Sequence, residues 1–164
     1  MKHFLHRHQP AATTRVALLA GLGAALAIGG LGLLGDSTGL AWLVAPFGAS
    51  CVLLFAAPAA PFSQPPNVVG GHCLAALLGI VLAALWPGQV WGAGVAVGAA
   101  ITCMMLLRVV HPPAGATALL AYLTKASVGF LLFPALTGSV FLVGFAWAYH
   151  RLLGGRYPAA PASK

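Results

Sequence analysis

The chain has 164 residues, of which 60% are hydrophobic and 5% charged, with a mean hydropathy of +0.96 and one carboxylate, Asp36. Soluble domains carry roughly 25% charged residues, so this composition excludes that class. Repeated apolar runs of about 17 to 25 residues point instead to helices crossing a hydrocarbon core of about 30 Å. We therefore expect an all-α, polytopic membrane bundle that has the lipid bilayer as its main partner and no room for a second domain.

The formal charge of +7 lies mostly at the ends, in Lys2, Arg7 and Arg15 and in Arg151, Arg156 and Lys164. No aromatic interleaving or groove-reading module accompanies it, which argues against nucleic acid as a partner. Read as a positive-inside pattern, it predicts a multi-pass protein of the cell membrane with both termini cytoplasmic.

In chain order, residues 1–15 form a basic cytoplasmic tail. They resemble the start of a signal peptide, but further apolar segments follow, so the first run is expected to stay as a membrane helix. Five long apolar segments come next: Val16 to Leu34, Leu40 to Ala57, Val69 to Trp86, Val90 to Leu107 and Val128 to Tyr149. A sixth, Pro113 to Leu123, is short. Asp36 falls in the loop after the first helix, and residues 151–164 make a short basic tail. None of the segments is amphipathic, as expected for helices surrounded by lipid and by one another. Abundant Gly and Ala provide small faces for close helix approach. Cys51, Cys73 and Cys103 lie inside apolar runs without ligand-like spacing and read as packing thiols.

An offset of 67 residues aligns PFGASCVL (Pro46 to Leu53) with PAGATALL (Pro113 to Leu120). It pairs Pro46 with Pro113, Gly48 with Gly115, Ser50 with Thr117, and further on Gly71 with Gly138. The membrane domain, residues 16–150, thus reads as two pseudo-repeats, about 16–86 and 90–150, each holding a short Pro/Gly-broken helix between longer ones. Four to six membrane segments follow, depending on whether the short elements cross or dip in and return. Arg108 on the cytoplasmic side favours the six-span form.

Proline fits the first position of a helix, and a helix start offers free N–H groups and partial positive charge to an anion. Two such starts, the hydroxyls of Ser50 and Thr117, and nearby Arg108 and His111 predict a small-anion site. Broken helices in corresponding positions of two halves mark transport sites. Asn67 reads as a helix cap within reach of substrate, and His72 heads a long helix beside Gly70 and Gly71. The chain has no phosphate-binding GxxxxGK[ST] motif and no carboxylate in an apolar run. Passive flux or proton coupling through His72 or His111 remains, with no cofactor.

Two other readings stand beside transport. Ser50 with His72 or His111 as base would make an intramembrane serine protease. His3, third from a potentially free amine, with His6 and His8, would make a Cu(II)-binding tail. A bundle this small also invites homo-oligomer formation.

RVVHPPAGATALL (Arg108 to Leu120), APFGAS (Ala45 to Ser50) and QPPNVVGGH (Gln64 to His72) together resemble the HPP family of integral membrane proteins, named for the triplet seen here as His111-Pro112-Pro113. The resemblance covers about Val16 to His150. It implies four membrane spans and transport, with similarity to nitrite transporters. It places Asn67, Gly70, Gly71, His72, Arg108, His111, Pro112, Pro113 and Gly115 on motif positions. The chain departs from the family where Pro66 stands in place of a basic residue.

Overall fold

Proline, glycine and a few hydroxyls cut the apolar sequence into helices. Thr13 opens α1 (Thr14–Thr38), its hydroxyl accepting from the Val16 N–H at 3.3 Å, one of the donors that a helix start leaves without a partner. Gly39 closes α1 at φ 67°, returning its N–H to Gly35 O; a residue without Cβ takes this left-handed position at no steric cost. The helices that follow are α2 (Pro46–Cys51), running on into a π-helical turn at Val52–Ala56, α3 (Pro65–Leu85), α4 (Val90–Leu106) and α5 (Pro112–Leu123). A second π turn at Leu131–Leu136 leads into α6 (Thr137–Leu152). Proline occupies the first positions of α2, α3 and α5, where its missing N–H would have had no intrahelical acceptor.

This is a computed structural model, and it describes residues 5–7 and 9–159. The described residues are all-helical, with no strand. Three stretches are long and apolar enough to cross a membrane unaided: Thr14–Thr38, Pro65–Leu85 and Leu131–Leu152. Pro46–Ala56, Val90–Leu106 and α5 are shorter. Two details differ from the sequence reading. The run from Leu40 is irregular as far as Ala45, because the chain must turn after Gly39 before Pro46 can start a new helix. Asp36 sits in the last turn of α1, not in the loop after it.

The short helices travel beside long ones in the same direction. Along α3, a Cβ on Gly71 would lie 2.7 Å from His111 Cβ and one on Gly79 2.6 Å from Ala118 O, while Tyr122 Oη reaches the carbonyls of Trp86 at 2.6 Å and Gln89 at 2.7 Å beyond the end of α3. Along α6, α2 runs from Phe47 against Gly138 to Phe55 against Tyr149. Neither α2 nor α5 doubles back; each runs from its first turn toward the opposite end of the bundle. The start of α1 and the segments 57–64, 107–111 and 153–159 share one end of the bundle, and the turns after α1, α3 and α5 share the other.

Packing follows from small residues. Ala75, Ala100, Ala114 and Ala118 with Met104 bury the contact among α3, α4 and α5. Ala27, Leu31, Phe47, Leu54, Leu142 and Ala146 join α1, α2 and α6. Large side chains point outward: Leu18, Val90 and Leu106 are 69%, 91% and 78% exposed. In lipid such a surface carries no penalty, and close van der Waals contact holds the helices together.

Gly79→Ala is expected to destabilise the fold by roughly 1–3 kcal/mol, because its methyl would meet backbone on α5. Gly94→Ala, where a Cβ meets nothing within 4 Å, should leave stability unchanged or slightly raised. Thermal unfolding in detergent compares the two; equal midpoints would refute the tight α3–α5 contact.

Candidate functional site

Four polar side chains meet between α2, α3 and α5. Ser50 lies in the last turn of α2, His72 two turns into α3, Thr117 in the middle of α5, and His111 at the residue that precedes α5. All are buried, with no more than 1% of their surface exposed. Ser50 Oγ stands 2.8 Å from His72 Nε2 and 2.9 Å from His111 Nε2. On the far side of its ring, His72 Nδ1 is 2.7 Å from Thr117 Oγ1. On the far side of the other ring, His111 Nδ1 donates to Phe62 O at 2.8 Å.

The surroundings are apolar and hold the rings in place. Phe47 meets the His72 ring edge-on, with centroids 5.1 Å apart. Gly71 lets His111 come against the α3 backbone, where any Cβ would collide with it. Asn67 Nδ2 donates to Val110 O at 2.8 Å and so anchors the residue before His111. The loop carrying the Phe62 carbonyl is clamped in turn: Ser63 Oγ bonds Leu53 O and Ala57 O, Gln64 Nε2 bonds Pro58 O and Ala60 O, and Tyr157 donates to Ser63 O at 2.9 Å. Among the described residues, no buried side-chain polar atom lacks a partner. In an apolar interior each such orphan would cost about 1–3 kcal/mol.

The structure brings Ser50, His72, His111 and Thr117 together and sets the other expected site residues around them. Several donors at the helix starts are already used. Phe47 N–H bonds Val44 O, Gly48 N–H bonds Ala45 O and Ala114 N–H bonds His111 O, while Pro46, Pro112 and Pro113 have no N–H. Pro46 contributes a carbonyl 3.3 Å from Ser50 Oγ. Gly48 opens onto an apolar groove of about 340 Å³ along α1. Pro113 is buried, Pro112 exposed and Gly115 half-buried, and none offers a polar side chain.

Arg108, expected at the site, is exposed at φ 59°, where it ends α4 as Val109 N–H bonds back to Met104 O. That bond pattern makes it a helix terminator in a position that usually favours glycine. Asn67 does not cap α3; Gln64 occupies that position. No group of three or more potential metal ligands forms among the described residues; His3 and His8 lie outside them. The sequence reading missed the two carbonyl partners, since backbone acceptors leave no signature. It also missed Tyr157, which is only 5% exposed within what read as a tail; an aromatic residue followed by proline was the one available signal.

The family described as "HPP, transmembrane region" matches residues 9–158. Two transmembrane proteins of Dictyostelium discoideum are also similar: one is 37% identical over 87 residues, or 51% of this chain, the other 31% identical over 109 residues, or 62%. The matches span 28% and 38% of those relatives' own lengths, so this chain corresponds to well under half of either. No solved structure matches significantly.

Thr117→Val removes the partner of His72 Nδ1 and is expected to destabilise the protein by about 1–3 kcal/mol, whereas Thr117→Ser should keep the bond and the stability. Arg108→Gly relieves a left-handed side-chain clash worth roughly 1 kcal/mol and should raise the unfolding midpoint in detergent. A loss of stability there would mean that the arginine makes a contact beyond its role in ending α4.

Proposed function

Because this chain belongs to the HPP transmembrane-region family, we propose that it is a transporter or channel for a small anion such as nitrite, not an enzyme, and that Ser50, His72, His111 and Thr117 form its substrate site. The observation carrying this reading is the convergence of hydroxyls from both broken helices on two histidines inside an apolar bundle. Polar groups at membrane depth are costly and mark substrate or ion pathways. Hydroxyl and imidazole hydrogens are the donors that a small oxyanion accepts.

The proposed two-half organisation is consistent with the same reading. Adding the 67-residue offset to the bounds of α3 gives 132–152, against the Leu131–Leu152 stretch; adding it to 46–56 gives 113–123, against α5 at Pro112–Leu123. Packing repeats with the offset as well: a Cβ on Gly71 would lie 3.2 Å from Val109 O, and one on Gly138 3.3 Å from Trp42 O, the two pairs exchanging halves. Alternate access by movement of one half against the other is the use such bundles make of this symmetry. Arg15, Arg108, Arg151 and Arg156 belong to the end where α1 begins, with Lys125 at the other, which in the positive-inside reading makes the first end cytoplasmic.

One geometric observation favours hydrolysis as a second reading. Ser50, His111 and the Phe62 carbonyl line up as nucleophile, base and orienting acceptor, the arrangement that activates a serine. Against it, Ser50 is fully buried, and the first-turn N–H groups of α2 that would stabilise an oxyanion are already bonded.

Uptake of nitrite, nitrate, formate and chloride into proteoliposomes tests the transport reading. Selective flux is expected in wild type and in Arg108→Gln, with at least a tenfold loss in His111→Ala. No flux of any of the four, or flux untouched by His111→Ala, would overturn it. A fluorophosphonate probe should leave Ser50 unlabelled; stoichiometric labelling would transfer the site to hydrolysis.

A further inference from the structure

The four side chains form an unbroken hydrogen-bonded series whose direction is set at one end. Phe62 O can only accept, so His111 Nδ1, 2.8 Å away, carries a hydrogen. If His111 is neutral, its Nε2 is a lone pair and receives the Ser50 hydroxyl hydrogen at 2.9 Å. With that hydrogen used, Ser50 Oγ must accept from His72 Nε2 at 2.8 Å. A neutral His72 then presents Nδ1 as a lone pair, and Thr117 donates to it at 2.7 Å. One tautomer of each ring satisfies the whole series: Nε2–H on His72 and Nδ1–H on His111.

The same series accommodates one additional proton on His111. Placed on His111, the proton makes Nε2 a donor to Ser50 Oγ, and Ser50 turns its own hydrogen to Pro46 O at 3.3 Å. This state needs one hydroxyl rotation and leaves no polar atom of the series without a partner. A second proton finds no such place, because the ring centroids are 4.9 Å apart and two imidazolium charges at that spacing repel strongly in an apolar medium.

Among the described residues, no charged side chain faces these rings. α2 presents Ser50, α5 presents Thr117, α4 presents Met104 beside Gly71, and the Ser139 hydroxyl of α6 is bonded to its own backbone at Ala135 O and Leu136 O. The chain's one carboxylate, Asp36, lies in the last turn of α1 at the opposite end.

We propose that the Ser50–His72–His111–Thr117 cluster binds one proton per cycle, so that a monovalent anion crosses together with a proton as a neutral pair. The inference rests on the small-anion reading above. The proton comes from water on one side, rests on an imidazole nitrogen beside the anion and returns to water on the other side.

Wild-type proteoliposomes with either a one-unit pH gradient or a potassium–valinomycin potential test this, with protein-free vesicles as the blank and nitrate included because its acid does not cross bilayers unaided. We expect the pH gradient to support about tenfold accumulation, the value for one proton per anion, and the potential to have no effect. Protein-dependent flux that follows the potential and ignores the pH gradient would overturn the coupling while leaving the anion reading intact. No protein-dependent flux would overturn that reading and the coupling with it. Nitrogen-15 NMR of histidine-labelled protein supplies a check independent of transport: His72 should carry its hydrogen on Nε2 and His111 on Nδ1, and the reverse tautomer in either ring would break the series.

Discussion

The constraint on which the rest of the structure depends is the requirement that a polar atom inside an apolar bundle find a partner. Four side chains are placed where no water can serve them, and each is satisfied by another or by a carbonyl. This ties together elements distant in sequence. α2 cannot slide along α3 without parting Ser50 from His72, and α5 cannot turn without parting Thr117 from the same ring. In a bundle whose helices are held largely by non-directional contact, the cluster helps fix register as well as chemistry.

Small residues make that arrangement possible. Hydrogen bonds of 2.7 to 2.9 Å between three helices require backbones to approach more closely than leucine-lined surfaces allow. The alanines between α3, α4 and α5, and the glycines at 71 and 79, provide the room. The turn before α5 brings His111, and the loop before α3 brings the Phe62 carbonyl, against the buried faces of α2 and α3; irregular backbone in a membrane protein is tolerated where it is buried in protein.

Much of this was legible in the sequence. Hydropathy located the helices because lipid-facing length is a physical requirement, and the PFGAS and HPPAGAT echo pointed to Ser50 and Thr117 because proline and glycine are needed where a membrane helix starts short. His72 and His111 stood out by their cost. What was not legible concerns groups without side-chain identity. The carbonyls of Pro46 and Phe62 exist at every residue, so nothing marked these two as acceptors. The part Arg108 plays in ending α4 was not legible for a related reason: a left-handed backbone at φ 59° leaves no mark in composition. At the helix starts expected to form an anion nest, the preceding turns use the Phe47, Gly48 and Ala114 N–H groups, a local geometry that composition does not encode.

The segment after α6 connects to the cluster by a short mechanical path. Tyr157 holds Ser63 O, Ala159 N–H holds Gln64 Oε1 at 2.9 Å, and the residue next to Ser63 carries the carbonyl that orients His111. The C-terminal segment therefore acts as a tether on the loop. Tension applied to it, whether from an attached domain, a fused tag or a docked protein, would be transmitted over two bonded residues to the imidazole at the centre of the bundle, making the end of the chain a handle on its interior.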